Sequence, residues 1–170
     1  MKNSFLVVLS CVLLAFSGCG IYKFTDVSID PNIKTFQVNF FRNEAPIVEP
    51  GLDRTFTFAL QDRIQDQTNL TLTNANPDLI YEGEIVQYFI APQAATSNDQ
   101  AAQNRITIGV NVRFTNTYRE DGEEDFEQRF SFFFDTPGTA LPTGATLNAA
   151  VEEIFERITQ DIVNASLANW

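Results

Sequence analysis

The sequence predicts an α+β domain in which a four-stranded, mostly antiparallel sheet is covered on one face by two helices. Four segments alternate apolar and polar residues with the period of two that marks a half-buried strand. Two longer segments space their apolar residues as an amphipathic helix does. The order along the chain is β-α-β-β-β-α. Because each strand has one apolar face, we expect the opposite face of the sheet to meet water or a partner.

The first strand is predicted at residues 33–41, where Phe36, Val38 and Phe40 alternate with polar residues. The break at Pro50-Gly51 then introduces a helix over Leu52–Gln67. Its apolar stripe consists of Leu52, Phe56, Ala59, Leu60 and Ile64. A short extended piece is expected at residues 70–73, before a turn at residues 74–78.

Three strand-like segments follow with no helix between them, so we expect antiparallel neighbours. The first, at residues 79–90, is predicted to turn Phe89 inward with Leu79, Tyr81, Gly83 and Ile85, and Tyr88 outward with Glu82 and Glu84. In the other two segments the inward faces are Ile106, Ile108, Val110, Val112 and Phe114, and then Phe126, Phe130, Phe132 and Phe134.

The segments that connect the predicted strands are interpreted from their composition. Residues 91–104 are polar, without an apolar stripe, and are expected to form a long projecting hairpin end. Residues 120–123 (Glu-Asp-Gly-Glu) predict a hairpin turn of the Asp-Gly kind. A last helix is predicted over residues 146–169, with its apolar stripe at Val151, Ile154, Phe155, Ile158, Ile162 and Ala165.

The amino terminus carries export features. Lys2 precedes an apolar run at residues 5–16, which has the length of a signal-peptide core and is too short to span a bilayer. Ser17-Gly18-Cys19 resembles the lipobox of a bacterial lipoprotein, which implies cleavage before Cys19 and acylation of that residue. We therefore expect a signal peptide at 1–18, a lipid anchor and tether at 19–32, and one α+β domain at 33–170. The alternative is a secreted protein that keeps an ordinary cysteine.

Composition excludes several classes of function. The formal net charge is -11, so the chain lacks the positive field that nucleic acid requires. There is no histidine, which removes Ser-His and Cys-His catalysis and zinc sites with nitrogen ligands. We expect no cofactor and no metal, because the acidic residues 120–125 lack the spacing of a calcium loop. An enzyme would need a carboxylate pair such as Glu82 and Glu84, and a small sheet without a deep cleft suits this poorly.

Several segments together resemble the LptE lipoproteins of Bacteroidota-type bacteria. They are residues 18–24 (GCGIYKF), 35–41 (TFQVNFF), 43–46 (NEAP), 98–105 (NDQAAQNR) and 168–170 (ANW). The resemblance implies two helices on a four-stranded sheet and a non-enzymatic lipoprotein on the periplasmic face of the outer membrane. It also implies that the protein binds and partly plugs the large barrel LptD, and assists lipopolysaccharide transport and outer-membrane assembly.

Beyond Cys19, the candidate contacts for lipopolysaccharide or a partner are two groups. Arg105, Arg113 and Arg129 lie on the polar face of neighbouring predicted strands. Their guanidinium groups are of the kind that binds the phosphates of lipopolysaccharide. Asn98, Asp99 and Gln100 lie in the long polar loop at residues 93–104. The alternative for the arginines is that they pair with Glu82, Glu84 and Glu127 across the sheet. The alternative for the whole chain is a generic periplasmic binding or scaffold lipoprotein, for a glycan or another envelope complex.

Overall fold

The computed structural model describes residues 29–93, 102–119 and 121–167 of the 170-residue chain. The predictions made for the signal peptide, Cys19, Asn98, Asp99 and Gln100 lie outside these residues. In chain order the elements are β1 (Thr35–Val38), β2 (Arg42–Asn43), α1 (Leu52–Gln67), β3 (Thr71–Leu72), β4 (Leu79–Gln93), β5 (Gln103–Asn116), β6 (Phe126–Pro137) and α2 (Gly144–Leu167).

The strands form one mixed sheet in the order β3-β1-β4-β5-β6, and β2 also pairs with β4. The long strands β4, β5 and β6 pair antiparallel, whereas β1 runs parallel to both β3 and β4. The predicted class, two helices with a mostly antiparallel sheet, is confirmed. The strand number differs, because the described residues form six strands rather than four.

Of the predicted first strand at residues 33–41, only Thr35–Val38 form β1, and the short strand β2 follows at Arg42–Asn43, where a loop was predicted. Phe36 and Val38 are buried as predicted, but Phe40 is 56% exposed and Phe41 is fully buried. The Phe41 N–H donates to the Thr57 hydroxyl on α1 instead of to a neighbouring strand. The prediction that Phe40 faces the core was therefore wrong, because the chain leaves the strand conformation at that point.

A β-bulge also changes the phase of β4. The register with β5 shifts between Ile85 and Gln87. A bulge inserts one residue and so moves every later side chain to the other face. Tyr88 is consequently buried and Phe89 exposed, which reverses the prediction for both residues. Burial and the nearby Glu49 carboxylate raise the pKa of the Tyr88 phenol to about 12.

The connection between β5 and β6 is longer than the predicted tight turn, because it spans residues 117–125. Asn116 secures its base: the backbone N–H donates to the Asp125 carboxylate, and the side chain donates to Glu124. Glu124 also forms an ion pair with Arg119 at 2.8 Å. The two strands flanking the predicted 91–104 link likewise extend further than predicted, to Gln93 and from Gln103.

The core lies between the sheet and the two helices. An aromatic chain crosses it, because Phe56 of α1 contacts Phe41 and Phe155 edge-on, with ring centroids 5.0 Å and 5.1 Å apart. The Tyr81 hydroxyl on β4 is hydrogen-bonded to the Ser166 hydroxyl on α2 at 2.9 Å. Burial raises the pKa of the Tyr81 phenol. These contacts fix both helices on one face of the sheet, as predicted.

One carboxylate secures the start of β1 to the start of β4. Asp78 accepts hydrogen bonds from the Lys34 N–H, the Thr35 N–H and the Thr35 hydroxyl at 2.8–2.9 Å. Desolvation opposes the charged form of Asp78, but these donors outweigh it and lower the pKa below its usual value. The ion pair with Arg105 lowers the pKa of Asp135 in the same way.

Both shifts predict loss of stability in acid. A depressed carboxyl pKa stabilises the fold above the unfolded-state pKa of about 3.9, and this contribution disappears as the pH falls through the folded-state pKa. We expect Asp78→Asn to lower the thermal midpoint by a constant amount above about pH 5, because the charge contribution is then fully present. Below about pH 4 the difference from wild type should shrink. A difference that stays constant from pH 7 to pH 3 in thermal unfolding would contradict this account.

Candidate partner-binding surfaces

The face of β4, β5 and β6 that points away from the helices carries mostly polar side chains. We call this the polar sheet face and define it by Glu82, Glu84, Gln87, Arg105, Thr107, Asn111, Arg113, Glu127, Arg129, Phe133 and Asp135. The strand register places these residues in cross-strand rows, for example Glu82, Arg113 and Glu127. Period-two alternation brings most of them to one surface, and in β4 the bulge between Ile85 and Gln87 turns Gln87 to the same side as Glu82 and Glu84.

Arg113 is the centre of a charge network on this face. Its guanidinium lies 3.3 Å from the Glu82 carboxylate and 3.1 Å from the Glu84 carboxylate. A third carboxylate, Glu127, lies 3.9 Å away. The hydrogen bonds that the guanidinium donates to the Glu84 carboxylate raise the pKa of Arg113. The arginine therefore balances acidic groups on both neighbouring strands.

Arg105 makes a second, separate pair near the other end of β5. Its Nε and Nη2 atoms donate to the two oxygens of Asp135 at 2.8 Å and 2.7 Å, which is bidentate geometry. The guanidinium carbon also lies 3.7 Å from the centre of the Phe133 ring. The planar cation is therefore fixed by a carboxylate and by an aromatic face together.

Arg129 extends across the sheet from β6 toward β4. Its guanidinium donates to the Gln87 side chain and lies over Gly109, where a Cβ atom would come within 3.1 Å of the guanidinium nitrogens. Arg129 has no carboxylate within ion-pair distance among the described residues, unlike Arg105 and Arg113. It is the cation of the polar sheet face with the most exposed position.

The structure thus brings Arg105, Arg113 and Arg129 onto one face, as the sequence predicted. The alternative of pairing with Glu82, Glu84 and Glu127 holds for Arg113. Arg105 pairs with Asp135 instead, a partner that sequence reasoning missed. The signal was present in the alternation of β6, which places Asp135 on the same face as Glu127 and Arg129. Cation groups already neutralised in this way have less free charge to offer a phosphate.

Removing the central arginine should destabilise the domain. Arg113→Met keeps the length of the aliphatic stem but leaves three carboxylates close together, so we expect a loss of about 1–2 kcal/mol. Arg157→Met is the matched control, because Arg157 has a single exposed ion pair on α2 and should cost less than about 0.5 kcal/mol. Urea unfolding of both variants measures the difference, and equal losses would contradict a central role for Arg113.

A second surface feature is a groove of about 700 Å³ between α1 and α2, on their solvent side. Its base is apolar, and Phe58 at its side is 54% exposed. Carboxylates predominate around the opening: Glu49, Asp62, Asp66, Glu152 and Glu156. The one basic side chain lining the groove, Arg63, lies 3.4 Å from Glu156. The groove thus presents an acidic rim that does not suit the phosphates of lipopolysaccharide.

The acidic segment at residues 120–125 is described except for Glu120. Within the described ranges, no cluster of three or more acidic, cysteine or histidine side chains is arranged to hold a metal ion. No helix in the described part of the chain is long and apolar enough to cross a membrane.

Comparison with known families identifies the domain. The family model LptE, described as lipopolysaccharide-assembly, matches residues 33–166. The chain belongs to the LptE family. The match covers the whole sheet and almost all of α2, so family membership rests on the domain described above and not on the amino-terminal segment. The LptE resemblance of the sequence is confirmed, and with it membership of a family that acts in lipopolysaccharide assembly.

Solved structures agree on the fold of this LptE-family domain. The hypothetical protein CT253 from Chlamydia trachomatis superposes with a TM-score of 0.55 at 12% identity, covering 81% of this chain and 99% of that one. Protein XCC0632 from Xanthomonas campestris gives a TM-score of 0.52 at 13% identity, covering 82% and 89%. At such identities the likeness concerns the fold alone. No curated protein matches the sequence.

Proposed function

We propose that this LptE-family protein is an outer-membrane lipoprotein, anchored through Cys19, that binds the barrel LptD and partly plugs its lumen. In this role it assists lipopolysaccharide transport and outer-membrane assembly without acting as an enzyme. The observation that carries the proposal is the family match over residues 33–166. Beyond this match, we infer the lipid anchor, the outer-membrane location, the binding of LptD and the absence of catalysis.

The polar sheet face supports a plug. The lumen of a large barrel is polar, so a plug must present polar groups to it without leaving buried charges unpaired. The ion pairs of Arg113 and Arg105 satisfy this condition within the domain itself. No buried side-chain nitrogen or oxygen among the described residues lacks a hydrogen-bond partner. The domain is therefore self-contained and does not depend on a partner for its own polar groups.

The same surface argues against carboxylate catalysis at Glu82 and Glu84. Both side chains are engaged by Arg113, and the sheet face around them is open. An acid–base pair needs a site from which water is partly excluded and in which one pKa is raised. We expect Glu82→Gln and Glu84→Gln to leave the function of the protein intact in cells, provided that they fold.

The test is a pull-down of the tagged, lipidated protein from its own outer membrane in detergent, followed by a salt wash and mass spectrometry. We expect one large barrel of the LptD type to be recovered in stoichiometric amount. Depletion of the protein should be lethal or leave the outer membrane permeable. Recovery of the lipoprotein alone, with growth unaffected by its loss, would support the alternative of a generic periplasmic binding lipoprotein.

A bulky substitution locates the contact. Thr107 lies near the middle of the polar sheet face and is partly exposed, so Thr107→Trp adds volume there without entering the core. Thr146→Trp is the control, because Thr146 is exposed in the first turn of α2. If the polar sheet face meets the barrel, the Thr107 variant should recover far less barrel than the control. Equal recovery would assign the contact to another surface.

A further inference from the structure

The two edges of the sheet differ in length. At one edge the strands are β1, β2 and β3, and none is longer than four residues. At the other edge β6 runs for 12 residues and pairs only with β5 among the described strands. Short edge strands are a common protection against pairing with another chain. The β6 edge lacks this protection.

The hydrogen-bond pattern shows which β6 backbone groups point outward. Gly138 N–H donates to the Ala102 carbonyl at 2.8 Å, and in the same register Thr136 faces Asn104 and Phe134 faces Ile106. Hydrogen-bonded and non-hydrogen-bonded pairs alternate in an antiparallel ladder. The even-numbered residues of β6 therefore bond to β5. The odd-numbered residues, from Glu127 to Asp135, direct their N–H and C=O groups away from the sheet.

We propose that β6 pairs antiparallel with β6 of a second copy of this chain, with Phe132 opposite its own counterpart. In this register the side chains are self-complementary. Arg129 faces Asp135 of the second copy, and Asp135 faces its Arg129. On the other face of the sheet, Phe130 stands opposite Phe134. The outward N–H and C=O groups of residues 129, 131, 133 and 135 form hydrogen bonds with the same residues of the second copy.

Neighbouring registers lack this complementarity. Centring the pair on Ser131 places Glu127 opposite Asp135, and like charges directly opposite are destabilising. Centring it on Phe133 places Arg129 opposite Pro137 and Asp135 opposite Ser131, so neither charge faces an opposite charge. The register centred on Phe132 pairs opposite charges and also pairs phenylalanines with each other.

The groups that this pairing uses are available in the single chain. Phe133 and Phe134 are 44% and 36% exposed, so apolar surface would be covered. Arg129 has no carboxylate partner among the described residues, and its guanidinium, which donates to Gln87 on β4, would turn back toward the β6 edge on pairing. Asp135 already binds Arg105, but a carboxylate accepts further hydrogen bonds and can stand between two arginines. Two such pairs form at once because the arrangement has a two-fold axis.

The first measurement is the mass of the full-length, detergent-solubilised protein by analytical ultracentrifugation, at moderate salt and at concentrations up to the order of 100 μM. We expect a concentration-dependent dimer. Arg129→Glu places like charges opposite each other twice and should weaken the dimer about tenfold or more. The control Arg54→Glu makes the same charge change at an exposed position on α1 and should leave the dimer unchanged.

Disulfide trapping tests the register. Ser131 and Phe133 of the two copies form a hydrogen-bonded pair, whose Cα atoms lie about 5.5 Å apart and within disulfide range. We expect Ser131→Cys protein mixed with differently tagged Phe133→Cys protein to cross-link under a mild oxidant. Ser131→Cys protein alone should cross-link far less, because its two cysteines would be diagonal neighbours at about 8 Å.

Three outcomes would overturn the proposal. The protein could remain monomeric throughout the concentration range. The dimer could respond equally to the Arg129 and Arg54 variants. Finally, a mixture of the Ser131→Cys and Phe133→Cys proteins could cross-link no more than either protein alone, which would rule out the register centred on Phe132. The pull-down of the barrel is measured separately, so failure of the dimer leaves the proposed function intact.

Discussion

Phe56→Ala is expected to lower the free energy of unfolding by about 4 kcal/mol. Phe56 is fully buried and lies between Phe41, in the segment that joins β1 to β2, and Phe155 on α2, in edge-on contact with both rings. Truncation removes the transfer free energy of the ring and leaves a cavity between Phe41 and Phe155. It also removes two aromatic pairs, each contributing about 0.5–1.5 kcal/mol beyond the area that it buries.

The neighbouring phenylalanine on α1 provides the control. Phe58 lies two residues further along the same helix but is 54% exposed. Phe58→Ala therefore makes the same chemical change with almost no cavity, and should cost less than about 1 kcal/mol. Thermal unfolding of the two variants should differ by about 10 °C in midpoint for a domain of this size. Similar midpoints for both variants would mean that α1 does not pack on the core through Phe56.

The parts of the fold that the sequence predicted correctly are those in which one periodicity runs without interruption. The stripe from Leu52 to Ile64 holds a single helical period, and α1 begins and ends at the predicted residues. The five apolar residues of β5 from Ile106 to Phe114 alternate without a break, and all are buried. In such segments every residue supports the same assignment, so the pattern determines the face that is buried.

The errors arose where the backbone changes phase. At Phe40-Phe41 two identical side chains are adjacent, so composition cannot tell which one turns inward, and the hydrogen bond to Thr57 decides it. At residues 85–87 the bulge exchanges the roles of Tyr88 and Phe89, both large and aromatic. A one-residue insertion of this kind is set by pairing with the neighbouring strand, which a single-strand pattern does not contain.

The candidate surface was partly predictable for the same reason. Alternation placed Arg105, Arg113 and Arg129 on one face, and the structure agrees. The ion-pair partners needed the register between strands, which places Asp135 opposite Arg105 and Glu82 opposite Arg113. Register depends on the lengths of the connecting segments, and both hairpin connections differ in length from the prediction. The residues of the polar sheet face could thus be predicted from the sequence, but the ion pairs that they form with one another could not.

Gly83→Ala should be nearly as damaging as the loss of Phe56, although it adds a single methyl group. A Cβ at Gly83 would stand 2.0 Å from the backbone oxygen of Asn111 and 2.7 Å from the Phe41 ring. The ring could shift, but the Asn111 oxygen belongs to the central strand β5 and cannot move without disturbing its pairing. Gly→Ala in a strand ordinarily stabilises by about 0.5–1 kcal/mol. Here we expect a loss of about 3 kcal/mol.

Gly109→Ala on the adjacent strand separates a steric effect from a general effect of glycine. The Cβ there would lie 3.0 Å from the Arg129 guanidinium and 3.1 Å from the Gln87 side chain. The guanidinium is the far end of a flexible side chain and can swing aside, and the Gln87 Cβ has to shift by only a few tenths of an ångström. We expect a change of less than about 1 kcal/mol in urea unfolding. If the two variants were equally destabilised, the close backbone approach at Gly83 would not be the cause. If Gly83→Ala were neutral, β4 and β5 would have to lie further apart at this point than the structure places them.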